Sequence, residues 1–327
     1  MVDFILIVGC QRSGTTLMAQ IIGAHPSAVM IDEDDGLYRW TDVLFGETIV
    51  PSFWNPSMIK SPASGFWHKL SGVYQAIRWI IRIMSPSHRI WWYLGTTKTD
   101  PDTLFQKCCR LAMSKYQAPQ TRFFENGLLC DSIKFAVLKA PNLTYFYDKI
   151  SDVFPGAKIV YLYRDIRDVV SSTMNVNAPI LDNQLRRILS SRDLANIFPA
   201  ELTLLRQDDN TVKPHVKMAL VAKIKMSLAQ QFRDNGLDVI DVKYEKLIAQ
   251  PESMIPHILK KLDLPQTIEC LHHNDVFQSI GPGGTHRGRP IDNKSKGKWK
   301  NNLTHQQSND IWDIVGDFME TLDYTSS

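Results

Sequence analysis

The sequence predicts an α/β fold, a P-loop-type parallel sheet with helices on both faces and a mostly helical insertion. Three observations predict it. The apolar run Phe4–Val8 leads into a loop bounded by Gly9 and Gly14, and a helical pattern follows with Leu17, Ile21 and Ile22 on one face. Four further apolar, β-rich runs, Ala28–Ile31, Phe135–Leu138, Lys158–Tyr163 and Asp238–Val242, are separated by helical stretches. Near-continuous apolar strands of this kind belong to a parallel sheet covered on both faces. The chain has 327 residues, 44% of them hydrophobic, which is enough to bury a sizeable core.

The elements follow in order. A strand, a Gly-bounded loop and a helix N-terminus form an anion cradle from backbone N–H groups and the helix dipole. Gly9 and Gly14 have the spacing of a nucleoside-triphosphatase loop, but Thr15 stands where such a loop carries the lysine that holds the β- and γ-phosphates. This cradle therefore suits a phosphate group and not a triphosphate. The run Ala28–Ile31 ends in four acids, Asp32 to Asp35.

Residues 51–130 fit the sheet pattern poorly and read as a cap inserted in a single domain spanning 1–327. Six tryptophans, Trp40, Trp54, Trp67, Trp79, Trp91 and Trp92, fall between positions 40 and 92. The stretch 66–84 has helical apolar spacing with Lys69, Arg78 and Arg82 interspersed. It suits the core of a helical cap, an interfacial helix on an anionic membrane, or a pocket lining.

Pro155 and Gly156 mark the turn into the Lys158 strand. The stretch 180–213 reads as irregular, a second flap. Residues 215–234 read as one helix, with Val216, Leu220, Ile224, Leu228 and Phe232 at four-residue spacing. A helix opens at Pro251. The last opens at Thr304 with Gln307 in capping-box spacing and carries the stripe Ile311, Ile314, Val315, Phe318, Met319 and Leu322.

Composition removes several function classes. A net charge of +3 suits an anionic nucleotide and does not argue for nucleic acid. Five cysteines form no disulfide framework and no CxxC spacing, which suggests reduced thiols in a cytoplasmic setting. His272–His273 and Cys108–Cys109 lack metal-ligand spacing, so no metal is expected. No signal peptide is visible, and no stretch approaches the roughly 20 apolar residues of a transmembrane helix. Peripheral contact with a membrane remains open through the Trp-rich segment.

The loop Arg12, Ser13, Gly14, Thr15, Thr16 resembles the nucleotide loop of sulfotransferases that use 3′-phosphoadenosine 5′-phosphosulfate (PAPS). The longer run from Arg12 to Pro26 is most similar to the tyrosylprotein sulfotransferase branch and its bacterial relatives. A second element, Tyr161 to Ser172, resembles the family's 3′-phosphate site, with Arg164 at a strand end and Ser172 eight residues on. An arginine fork suits phosphate oxygens. Asp165 and Asp168 read as charges at a helix N-terminus, not as the magnesium-binding Asp of a kinase-type strand. Gly297-Lys298-Trp299-Lys300, within a segment of six cations at 287–300, loosely resembles the family's loop over the nucleotide. It implies Ser295 and Lys298 as donor contacts, with Trp299 equally suited to anchor the last helix.

The resemblance covers the core but not 51–130 or 180–213. It implies transfer of a sulfonate from PAPS, a co-substrate, to an acceptor hydroxyl, with release of adenosine 3′,5′-bisphosphate. The acceptor hydroxyl must lose a proton, and charge on the leaving phosphate must be neutralised. Glu33, 21 residues after Arg12, falls at the branch's catalytic Glu, with Asp32 and Asp34 as alternatives. Arg12 and Lys139, in a Lys-x-Pro context at a strand end, are the cations for the leaving group. The anchored Golgi members differ from this chain, which resembles a soluble bacterial-type enzyme. The acceptor stays open among tyrosine, sugar, phenol and lipid. The rival readings are a nucleotide-dependent kinase on the same fold and a non-catalytic peripheral membrane protein that binds a nucleotide.

Overall fold

The computed structural model describes residues 2–46, 100–117, 122–125, 128–176, 180–278, 280–281 and 285–326. The Trp-rich segment beyond Trp40 and the helical pattern at 66–84 lie outside the described residues. The predicted apolar runs form one parallel sheet: β1 (Asp3–Gly9), β2 (Ala28–Asp32), β3 (Phe135–Lys139), β4 (Lys158–Tyr163) and β5 (Asp238–Lys243). Their order is β2-β3-β1-β4-β5. β1 lies at the centre, pairing Ile5 with Val137 on one side and with Lys158 on the other. Leu6, Ile7 and Val8 are fully buried there. The order reverses beside β1, so the strand ends at β1, β3 and β4 open a crevice where open α/β sheets bind ligands.

Helices cover both faces, as expected. α1 (Thr15–Gly23) packs on β2 and β3, and α2 (Leu37–Phe45) follows β2. α3 (Pro101–Ala112), N-capped by Asp100, packs on β2 and α2. It lies inside the expected cap at 51–130 but runs along the sheet. The turn after α3 brings Tyr116 to edge strand β2, where its hydroxyl accepts the backbone N–H of Met30. An edge N–H is thereby satisfied.

Beyond β4 come α4 (Ile166–Met174), α5 (Ile180–Ser190), α6 (Arg192–Ile197), α7 (Pro199–Leu205) and α8 (Pro214–Ser227). The irregular flap expected over 180–213 is therefore mostly helix. Ser191 caps α6, and Pro199 opens α7. These closely spaced breaks interrupt the helical period that a sequence window needs. The single helix expected over 215–234 is interrupted at Leu228, after which a short helix spans Ala229–Asp234. α9 (Pro251–Lys261) starts at its proline. α10 (His305–Thr321) has the predicted capping box between Thr304 and Gln307. α8 packs against α4 and α10, so it lies between two helices as well as beside the sheet.

None of the five cysteines forms a disulfide with another, and four are buried. Among the described residues no helix is long and apolar enough to cross a membrane.

Candidate active site

The loop between β1 and α1 owes its shape to two glycines. Gly9 has φ 135°, and a Cβ there would sit 2.7 Å from the Leu162 carbonyl oxygen. Gly14 has φ 96°, and a Cβ there would overlap the Tyr244 ring at 2.3 Å. Between them Ser13 folds back, its N–H and Oγ–H both donating to the Cys10 carbonyl. Arg12 sits at φ 69°, a left-handed conformation that costs a non-glycine residue about 1–3 kcal/mol. Gly14 as N-cap has no side chain to offer the first turn of α1, so that turn's N–H groups remain donors for an anion. Thr15 is buried and Thr16 half-buried in this turn.

The second element closes on the first. Arg12 Nε donates to Ser172 Oγ at 2.9 Å. Arg164 Nη1 donates to the Arg12 carbonyl at 2.8 Å, and Nη2 donates to the Ser295 carbonyl. The Arg164 guanidinium stacks 4.5 Å over the Tyr244 ring. Burial, and then the charge of Arg164, lower the pKa of Arg12. Two guanidinium groups held this close make an attractive seat for an anion.

Segment 293–299 docks on this pair through Asp168, whose carboxylate accepts the N–H groups of Gly297 and Trp299 at 2.7 and 3.0 Å. Asp165 caps α4 by accepting the N–H of Arg167. Both acids thus behave as expected at a helix N-terminus. Ser295 contributes its carbonyl, not its hydroxyl, and Lys298 is exposed. Trp299 lies 3.9 Å from the Arg167 guanidinium, which also faces Trp312 of α10.

The third group stands at the ends of β2 and β3, where Asp32 pairs in register with Lys139. A one-turn helix, Glu33–Asp35, follows β2. Glu33 turns to Lys139, whose ammonium donates to both carboxylate oxygens at 2.8 and 2.6 Å. The Glu33 side chain is 17% exposed and that of Lys139 only 4%. Burial raises the Glu33 pKa, with Lys139 opposing. A carboxylate that is accessible, pre-oriented and raised above its usual range is a competent proton acceptor.

Asp32, one of the two alternatives to Glu33, faces the other way. It meets Lys115 at 2.6 Å and Arg287 at 2.7 Å, and all three are buried. Burial pushes its carboxyl up, but Lys115 and Arg287 outweigh that and hold it well below the usual range. A carboxylate so tied is a poor base. Asp34, the other alternative, is 54% exposed on its side chain and stands 4.0 Å from Arg287. Asp35 accepts the Asp32 N–H and contacts Lys115, and burial pushes it up to about 8.

Sequence reasoning missed the Lys115–Arg287 partnership and a buried polar chain beneath the loop. In that chain Gln11 donates to Asn142 at 2.9 Å and accepts from Lys225 at 2.9 Å. Lys225 also donates to the Pro141 carbonyl at 2.8 Å. The sequence signal was weak, because α8 carries three lysines, Lys217, Lys223 and Lys225, and nothing local marks the one that is fully buried.

Comparison with known proteins follows the same outline. The Protein-tyrosine sulfotransferase of Drosophila melanogaster is 23% identical over 322 residues, covering 95% of this chain and 50% of its own. The chain thus spans about half the length of that curated relative. The sulfotransferase domain from the curacin biosynthetic pathway has the same fold, with a TM-score of 0.51 at 15% identity and 99% of each chain covered. A model of the sulfotransferase family matches residues 78–268, a span that holds Lys139, Arg164 and Ser172 and follows the 9–16 loop. That match covers more than half of the sequence, and the chain belongs to the sulfotransferase family.

Proposed function

We propose that the protein moves a sulfonate from PAPS to an acceptor hydroxyl and releases adenosine 3′,5′-bisphosphate. The observation that carries this reading is the Glu33–Lys139 pair, held at the strand ends beside an anion loop that lacks the nucleoside-triphosphatase lysine. The loop N–H groups and Arg12 receive the 5′-phosphosulfate. Arg164, Ser172 and the 293–299 segment receive the 3′-phosphate end.

Glu33 takes the acceptor's proton as the acceptor oxygen attacks sulfur, and the bond from sulfur to the 5′-phosphate oxygen breaks. The leaving bisphosphate gains the negative charge, which Lys139 and Arg12 neutralise. Lys139 thus has two tasks in sequence, first orienting Glu33 and then meeting the leaving oxygen. Tyrosine is the first acceptor to try, because the Drosophila relative is named a protein-tyrosine sulfotransferase. Sugar, phenol and lipid hydroxyls complete the set.

The test is incubation with PAPS labelled in its sulfonate and a panel of these acceptors, together with thermal shifts. Label on an acceptor, and stabilisation by adenosine 3′,5′-bisphosphate without magnesium, support the reading. Stabilisation only by ATP with magnesium, with no label transferred, overturns it in favour of a kinase.

A further inference from the structure

Lys225 is the most deeply buried ammonium near the loop, with no exposed surface. Its contacts are all to neutral groups: Gln11 Oε1, the Pro141 carbonyl, and the Tyr145 ring at 4.7 Å. Four other groups surround it. The Cys10 thiol is pushed up to about 11 by burial and stays neutral. Tyr161 donates its hydroxyl to the Lys225 carbonyl. Arg187 of α5 repels the ammonium, and Glu33, already paired with Lys139, attracts it. No carboxylate touches Lys225 among the described residues. A buried charge is costly unless an opposite charge completes it, and the loop above Lys225 is built to hold an anion.

We propose that Lys225 is a positioning residue of the donor site: a buried cation completed by the donor's phosphosulfate, which through Gln11 and Asn142 locks the loop to the exit of the Lys139 strand. The chain of contacts is continuous. Gln11 precedes Arg12, and Asn142 lies three residues past Lys139. Asn142 Oδ1 accepts from both Gln11 and Gln184, and Gln184 accepts from Tyr145. Arg12 and Lys139, the two cations for the leaving group, are thereby tied to one another below the site.

Binding and protonation are then linked. Burial lowers the Lys225 pKa to about 7 before the donor arrives. An anion above it raises that value, so the protein takes up a proton on binding, and affinity falls as pH rises past 7.

The inference rests on the donor-binding role proposed above, and the experiment separates the two. Calorimetry measures adenosine 3′,5′-bisphosphate binding between pH 7 and 9, a window above the second phosphate ionisation near pH 6. Wild type is expected to lose about fiftyfold in affinity across the two-unit window, the effect of one linked proton that titrates near 7 in the free protein and stays bound in the complex. Lys225→Met is expected to bind more weakly at pH 7 and to show a flat profile. Gln11→Leu, at a half-buried position, keeps the lysine, cuts the link, and is expected to weaken binding at pH 7; it carries the test should Lys225→Met not fold. A variant that loses thermal stability but keeps wild-type affinity and slope overturns the inference. So does a flat wild-type profile. Wild type that binds no bisphosphate at any pH overturns the donor reading itself.

Discussion

Arg287→Met is the most informative single change outside the Glu33–Lys139 pair. Arg287 Nη2 lies 2.7 Å from Asp32 Oδ2, with both side chains about 2% exposed or less. Removing one partner of a buried pair costs about 3–5 kcal/mol, because the other charge is left behind without compensation. Asp32 keeps Lys115, which argues for the lower end, about 3 kcal/mol. Yet Lys115 also serves Asp35, so two carboxyls would share one ammonium. Two readouts follow. In urea unfolding the midpoint should fall with an unchanged slope. In turnover kcat should fall more than donor affinity, because the Glu33 turn hangs from Asp32 and Asp35. The double variant Asp32→Asn/Arg287→Met tests the physical cause. It should recover more than 1 kcal/mol relative to additivity, as expected of side chains in contact. A single variant that loses under about 1 kcal/mol, with a strictly additive double, would refute the claim that this pair holds the catalytic turn.

The remaining expectations concern the site and its surroundings. Glu33→Gln keeps the shape of the turn and should lower turnover about 10²-fold or more while adenosine 3′,5′-bisphosphate still binds, as read by initial rates and calorimetry. Asp168→Asn leaves one acceptor oxygen where Gly297 and Trp299 each have their own, and removes the charge beside Arg164. It should weaken bisphosphate binding several-fold, the loss of a charged hydrogen bond, and binding to an analogue without the 3′-phosphate should change less. His273 is fully buried, and burial pushes its pKa down to about 4 from an ordinary 6.5. Its contribution is complete above pH 6.5 and is lost as pH falls toward 4, by about 3 kcal/mol at 1.36 kcal/mol per pH unit. His273→Gln should flatten that part of the stability profile measured by urea titration, and an unchanged slope would contradict it.

The sheet was legible because parallel strands buried on both faces appear in the sequence as unbroken apolar runs. Arg164, Ser172 and Arg12 were singled out from two short segments by their resemblance to a nucleotide site, and the structure joins those segments across 160 positions of chain. Lys139 was legible as a lysine at a strand end, and Glu33 through the resemblance, 21 residues after Arg12; the structure pairs the two. The partners of Asp32 were not. Lys115 and Arg287 come from distant segments, and Arg287 lies 255 positions away. Nothing local in a cation-rich stretch separates one buried arginine from its exposed neighbours. The helices of 180–213 were hidden because two of the three, with 6 and 7 residues, are shorter than the window over which a 3.6-residue period shows itself, and their breaks follow α5 directly.

The four acids that end β2 carry one further consequence. Neighbouring side chains of an extended strand leave on opposite faces, and the turn after β2 continues that division: Asp32 goes inward to Arg287 and Lys115, Glu33 to Lys139 at the crevice. Chemically similar carboxyls therefore acquire different surroundings from position alone, one serving as a rivet and one, in the proposed mechanism, as a reagent. Proton affinity alone does not draw that line, since Asp35 is pushed up to about 8 by burial yet is shut in with Lys115. In the proposed mechanism, address and not acidity selects the base. The base therefore cannot be moved one residue along the chain without also dismantling the bolt that holds it.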